Sequence, residues 1–299
     1  RELTSPLLSL RQILLIFLLL SSLTTYGETI IHKEKSLYRN IVVNEKAERR
    51  CLIFSVKRQQ RNQTCIDISD PNRIIFPYVR MIFSGLLVQP EPSRGLMIGM
   101  GGGTISNVLT DVYPNLRMDL VEVDQAVVNV ARDYFGFKQN QRTNVYVTDG
   151  RVFARRALLR KERYDLIILD AFTGEYIPEH LMTVEFLENI KSLLTPKGIV
   201  IANTFSASAL YDHESVTYFS VFGDLLSLKM PRTGNRVIVA SNTGLPSTKT
   251  LKINARVLEP RFKSYKLNLR KYIPNMKRDP DSNMEMRVLT DQYAPLNLL

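Results

Sequence analysis

From Arg94 to Phe205 the chain alternates short apolar runs with helical patterns, and no other feature restricts its fold as much. "GLMIG", "RMDLVEVD", "NVYVTDG", "YDLIILD" and "IVIANTF" read as strands. "TISNVLTDVYP", "QAVVNVARDYFGF", "RVFARRALLRKE" and "TVEFLENIKSLL" between them read as amphipathic helices. Strand–helix alternation predicts a parallel α/β sheet covered on both faces. "DHESVTYFSVFGDL" and "RVIVAS" add a further helix and strand, and no internal repeat is visible.

The first strand runs into "GMGGGT". Gly99, Gly101, Gly102 and Gly103 let the backbone turn sharply and remove every Cβ from the path of a ligand. The helix starting near Thr104 aims its free N–H groups at the same space. In open α/β sheets ligands bind at this carboxyl edge. About 20 residues later comes "VEVD", as expected for an acidic side chain that accepts both hydroxyls of a ribose. Glu122 is the better candidate and Asp124 the second, with capping of the next helix as the alternative for Asp124. The loop is not G-x-G-x-x-G, which counts against a nicotinamide. The third strand ends "VTDG", placing Asp149 for an adenine amino group, with Gly150 beside it. The fourth ends "LDAF", so Asp170 reaches the edge where the reactive end of the ligand would lie. An apolar strand delivering one carboxylate to a crevice builds a general base of raised pKa. The alternative for Asp170 is a turn-forming aspartate.

Ahead of the sheet, residues 28–70 alternate with period two and predict a small antiparallel β module. "NRIIFPYVRMIFSGLL" then reads as a short helix ending at Gly85. The nucleotide domain is expected over 71–245. Residues 246–299 are polar and basic, and read as loops and helical turns packed on the sheet.

Residues 1–27 hold an apolar core of 11 residues, Ile13 to Leu23. That is short of the roughly 20 a bilayer requires. It reads as a secretory signal with a cut near Gly27, the alternatives being a buried or membrane-anchoring helix. A membrane is expected as a partner only if this segment stays uncleaved. The two cysteines, Cys51 and Cys65, fall in facing strands of a hairpin, where a disulfide is geometrically feasible. Asn62 begins the sequon "NQT", expected at the hairpin tip. Together these give a secreted or endoplasmic reticulum location, and buried free thiols in a cytoplasmic protein are the alternative. The net charge of +11 favours anionic partners in general. Its Lys and Arg are scattered, without zinc-finger spacing or an RNP-like run, so nucleic acid is not expected. Three separated histidines and two cysteines give no metal site.

"GMGGGT", "VEVD", "VTDG", "YDLIILDAF" and "LTPKGIVIANTF" together resemble the polyamine aminopropyltransferases, that is spermidine synthase and its relatives, over most of the chain. The resemblance implies a Rossmann-like methyltransferase fold with a small N-terminal β domain, and decarboxylated S-adenosylmethionine as co-substrate. It implies Glu122 on the ribose, Asp149 on the adenine, Asp170 as the base that deprotonates an amine acceptor such as putrescine, and Tyr78 on the substrate side. It also implies a homodimer through the β module. Three positions depart from the family pattern. Gly101 stands nearest the loop aspartate, Thr173 stands near the second strand-end aspartate, and Val79 and Arg80 follow the tyrosine. Each removes an acceptor for a polycation, and Arg80 is expected to repel one. Glu175, Glu179 and His180 in "GEYIPEHL" are candidates to restore polar contacts. The rival readings are an S-adenosylmethionine-dependent methyltransferase and a secreted, catalytically inactive homologue that acts as a binding protein.

Overall fold

The computed structural model describes residues 27–56, 59–173, 176–278 and 282–293. The Ile13–Leu23 apolar run, Glu175 and the residues after Tyr293 lie outside them. Four strands, β1 (Thr29–Lys35), β2 (Asn40–Lys46), β3 (Arg49–Val56) and β4 (Gln59–Asp67), form an antiparallel meander in the order of the chain. Period-two alternation turns Ile41, Val43, Leu52 and Phe54 to one face. They bury there against Ala126, Val127 and Val130 of a helix from the main domain. Cys51 stands directly opposite Cys65 in the β3–β4 ladder and is bonded to it. Asn62 is not at the hairpin tip as expected. It lies inside β4, paired with Ile53, with its side chain exposed. The register slips between Leu52 and Ile53, and a bulge of this kind lets the partner strand run on past the turn the sequence marks.

The main domain alternates as expected: β5 (Arg94–Ile98), α2 (Thr104–Val112), β6 (Arg117–Glu122), α3 (Gln125–Tyr134), β7 (Thr143–Val147), α4 (Gly150–Leu159), β8 (Tyr164–Leu169), α5 (Val184–Leu193), β9 (Leu194–Phe205), α6 (Tyr211–Phe222), β10 (Leu225–Lys229) and β11 (Asn235–Ser241). The eight-stranded sheet, completed by β12 (Met276–Lys277), runs β12-β10-β11-β9-β8-β5-β6-β7. Strands β5 to β9 are mutually parallel, and the β12, β10 and β11 edge is antiparallel. The chain leaves β5 toward β7, then returns to lay β8 on the other side of β5. Their carboxyl ends form a topological switch point, and a crevice is expected there.

Three readings need correction. Helix α1 (Pro77–Phe83) does not stop at Gly85 but tightens into a 3-10 turn over Ser84–Leu87. Gly85 is there for contact: a Cβ would sit 2.3 Å from Ile201 Cδ1. The segment expected as loops and helical turns over 246–299 contains a full helix. Helix α7 (Thr248–Leu258), the turn after it and the 3-10 stretch Leu269–Asn275 bury Leu251, Ala255, Leu258, Phe262, Tyr272 and Ile273 in the core on that side of the sheet. The short strand β10 was missed because five residues, "LLSLK", carry too little pattern by themselves. Among the described residues no helix is long and apolar enough to cross a membrane.

A closed ionic network sits behind the sheet. Arg236 of β11 is fully buried. It donates to Glu214 Oε2 at 2.7 Å, Ser215 Oγ at 2.6 Å and Thr204 Oγ1 at 2.9 Å, and lies 3.8 Å from the centroid of the Tyr211 ring. Burying this charge is tolerated because each of the three guanidinium nitrogens finds an acceptor.

Candidate active site

A cavity of about 310 Å³ opens at the switch point, roofed by the β module. Its floor is the glycine loop. Gly99 has φ +85°, and a Cβ there would meet the Asp170 carbonyl oxygen at 2.3 Å, so only glycine lets β5 turn this close to the end of β8. Gly102 is bare for a different reason. Its amide donates to Thr64 Oγ1 at 3.1 Å, and a Cβ would lie 2.5 Å from the Thr64 methyl. The loop thus packs on β4 of the N-terminal module. Gly101 lines the cavity and Gly103 caps α2 in the left-handed conformation. Gly150 also lines it, and lets the first turn of α4 approach Ile98.

Glu122, at the end of β6, is buried in the wall. Its oxygens accept from the amides of Met100 at 3.3 Å and Asp124 at 3.2 Å. Burial raises its pKa, while Arg39 and those two amides pull it back. Asp124 turns away: its side chain caps α3 through the Ala126 amide at 3.1 Å and accepts from Ser36 Oγ at 2.5 Å. Of the two candidates, Glu122 is the one that faces the cavity.

Asp149 lines the same wall at the head of α4. Its Oδ1 accepts from the Arg151 and Val152 amides at 2.9 and 3.0 Å, and its Oδ2 pairs with His180 Nε2 at 2.7 Å. Burial raises its pKa, but the amides and His180 outweigh burial and hold it below the usual carboxylate range. His180 joins the lining from the turn Glu179–Leu181.

Asp170, at the end of β8, has a carboxyl pKa pushed up to about 7 by burial, which its one favourable contact does not reverse. That contact is from Asn203 Nδ2, at 2.8 Å to Oδ1. Asn203 Oδ1 in turn accepts from Asn235 Nδ2 at 3.0 Å. Tyr78, on α1, also lines the cavity, and burial together with the Asp170 charge raises its pKa, so its hydroxyl stays protonated. Val79 is a buried part of the lining. Arg80 does not face the acceptor side as expected: its guanidinium folds back onto the Ile74 carbonyl, with Nε at 2.8 Å. Thr173 is in the lining and donates to the Tyr176 carbonyl at 3.2 Å.

Sequence reading missed Arg39, Thr64, Asn203 and Asn235. Arg39 comes from the start of the module's second strand. Its guanidinium donates to the Phe172 carbonyl at 3.3 Å, stacks 4.4 Å from the Phe54 centroid, and stands 3.7 Å from Asp124. It spans the cavity roof from β6 to β8. The sequence signal for these residues was absent, because each makes its side-chain hydrogen bonds across more than 30 positions of chain. Among the described residues no group of three or more His, Cys, Asp or Glu could hold a metal ion.

The domain described as spermine/spermidine synthase matches residues 75–230. The polyamine aminopropyltransferase of Vibrio vulnificus is 46% identical over 299 residues, covering 98% of this chain and 100% of that protein. The crystal structure of a probable spermidine synthase from Corynebacterium glutamicum superposes with a TM-score of 0.65 at 22% identity, covering 87% of this chain and 99% of that one. Human methyltransferase-like protein 13, solved in complex with SAH, superposes with a TM-score of 0.59 at 24% identity over 63% of this chain and 93% of that one. The latter two show the shared fold.

Proposed function

Since the chain belongs to the spermine/spermidine synthase family, we propose that its cavity performs aminopropyl transfer from decarboxylated S-adenosylmethionine to a primary amine. The observation that carries this is the convergence of Glu122, Asp149 and Asp170 on one cavity, each delivered by a different parallel strand end, beside a loop of four glycines.

The cavity fits the co-substrate by the chemistry of its walls. Glu122 offers carboxylate oxygens to the ribose hydroxyls. Asp149 faces the adenine side, with His180 on its second oxygen. The glycine loop and the first turn of α2 meet the chain that joins ribose to sulfur. The co-substrate supplies a sulfonium, whose sulfur is a good leaving group. The nitrogen lone pair of the acceptor forms a bond to the propyl carbon as the carbon–sulfur bond breaks. The electron pair returns to sulfur, leaving a neutral thioether. The proton lost by the amine goes to Asp170. Asp170 suits this task because a base poised near 7 holds enough carboxylate at neutral pH and still takes the proton readily. Asn203 aims its carboxylate, and Tyr78 contributes a neutral hydroxyl beside the reacting nitrogen. Alignment of amine, carbon and sulfur supplies the rest.

A second reading rests on two observations. No carboxylate stands on the loop at Gly101 or Gly102, and Arg39 brings a guanidinium to the roof. That arrangement would tolerate the carboxylate of S-adenosylmethionine and support methyl transfer. Calorimetric titration of the full chain with the two nucleotides tests the choice. Tighter binding of the decarboxylated form supports aminopropyl transfer, preference for the carboxylated form favours the methyltransferase, and binding of neither leaves the inactive homologue.

A further inference from the structure

The stretch from Lys249 to Lys271 carries eight Lys and Arg residues and one acid, Glu259, so +7 of the chain's net +11 falls in one short segment. Helix α7 sorts its side chains into two stripes. Leu251, Ala255 and Leu258 are buried. Lys249, Lys252, Ile253, Arg256 and Val257 recur at the spacing i, i+3, i+4, i+7 and i+8, so they share one face, and all five are exposed. Ile253 and Val257 are 50% and 49% exposed. A lone exposed aliphatic is ordinary, but two on one face among three cations make an amphipathic surface turned to water. Lys263 on the turn after the helix, and Arg270 and Lys271 on the 3-10 stretch, are exposed as well. We propose that this face of α7 docks the protein on an anionic lipid bilayer, with the cations at the headgroups and Ile253 and Val257 in the boundary below them. The contact lies in the plane of the interface and uses neither a spanning helix nor the Ile13–Leu23 run.

Among the described residues, the acids that meet this segment are engaged off the α7 face. Glu91 pairs with Arg261 at 2.9 Å, Asp70 with Lys266 at 3.0 Å, and Asp111 accepts from the Tyr265 hydroxyl at 2.7 Å. The positive field of Lys249, Lys252 and Arg256 therefore reaches solvent. The apolar pair decides between anionic partners. A phosphate backbone gains nothing from Ile253 and Val257, and the rings that could stack on bases turn inward, with Phe262 and Tyr272 buried and Tyr265 half-buried. A bilayer surface uses both halves of the face, since cations are drawn to anionic headgroups and aliphatic side chains leave water. The placement also spares the reaction. Asn254 donates to the Leu87 carbonyl at 2.8 Å and Arg261 holds Glu91, which fixes α7 near the amino end of β5, whereas the nucleotide cavity opens at the carboxyl ends of the strands.

The test is co-sedimentation of the full chain with vesicles of phosphatidylcholine and with vesicles of an equal mixture of phosphatidylcholine and phosphatidylglycerol. The parent should bind the mixed vesicles, leave them at high salt, and bind phosphatidylcholine alone far less. Lys249→Glu, Lys252→Glu and Arg256→Glu combined in one chain should lower partitioning by about 100-fold or more. Ile253→Ser with Val257→Ser should lower it by about tenfold. All five side chains face water, so the melting temperatures should match the parent. If charge reversal disturbs the fold, Gln at the same three positions should lower partitioning in the same direction. Equal binding of the parent to the two kinds of vesicle would overturn the proposal, as would undiminished binding by the charge variants or by the serine variant. A duplex oligonucleotide bound more tightly than the mixed vesicles would assign the face to nucleic acid and overturn it as well.

Discussion

Asn203 donates its side-chain amide to Asp170 across the junction of β9 and β8 at 2.8 Å, and among the described residues no other side chain bonds that carboxylate. An acid held by one neutral donor amid apolar walls keeps a raised pKa and a single orientation. Activity and stability therefore make opposite demands on this position.

Asp170→Asn should lower kcat/KM by about 100-fold or more, the usual loss when a general base is removed, while nucleotide affinity changes little. In the parent, the rate should fall as pH drops through about 7, where the carboxylate takes up its proton. Steady-state kinetics across pH, with calorimetry of the nucleotide, checks both.

The same substitution should stabilise the fold at high pH. An unfolded aspartate ionises near 3.8, and this one near 7 in the folded chain. Between those values the native state holds a proton the unfolded chain has released, so this group's contribution to stability declines as pH rises and levels off above 7. Asn carries no such cost. Thermal melts should show the variant gaining on the parent from about pH 4 to 7, and matching it below.

Asn203→Ala removes the contact that favours the ionised form. The acidic limb of the rate profile should move to higher pH, and kcat should fall by roughly tenfold as the carboxylate loses its aim. An unmoved pH profile would mean that Asn203 serves packing alone.

Reduction of the Cys51–Cys65 bond should lower the melting temperature. Closing a loop of 14 residues in sequence separation is worth about 3 kcal/mol in the chain-entropy account. The hairpin it staples supplies Phe54, Gln63 and Thr64 to the cavity, so nucleotide affinity should drop with it. The double variant Cys51→Ala, Cys65→Ala, titrated with and without reductant, separates the bond from side effects of the reagent.

Much of the fold was legible in the chain. Five apolar runs ending in Gly99, Glu122, Asp149, Asp170 and Phe205 announced a parallel sheet and its functional edge, because strands buried on both faces leave a strong pattern. Local chemistry also let Asp124 be weighed as a helix cap. What escaped was contact between distant parts. Thr64 meets Gly102 across 38 positions, and Asn203 meets Asp170 across 33. A polar residue within an apolar strand looks the same in sequence whether it touches a neighbour or nothing. Arg80 shows the reverse error: beside Tyr78 it seemed to face the acceptor, yet the helical turn swings it to the Ile74 carbonyl. The basic C-terminal segment hid its core because Leu251, Ala255 and Leu258 are spaced for one buried face among charged neighbours.

The fit of Gly102 against Thr64 also limits how such proteins can be recombined. A loop bearing a side chain at position 102 has no room under this β4, and a β4 with a smaller residue at 64 would leave the loop amide without its acceptor. A chimera that joins the N-terminal module of one relative to the sheet of another must therefore carry the two positions over as a pair. The seam between module and sheet is a unit of inheritance, and it runs through the nucleotide site rather than around it.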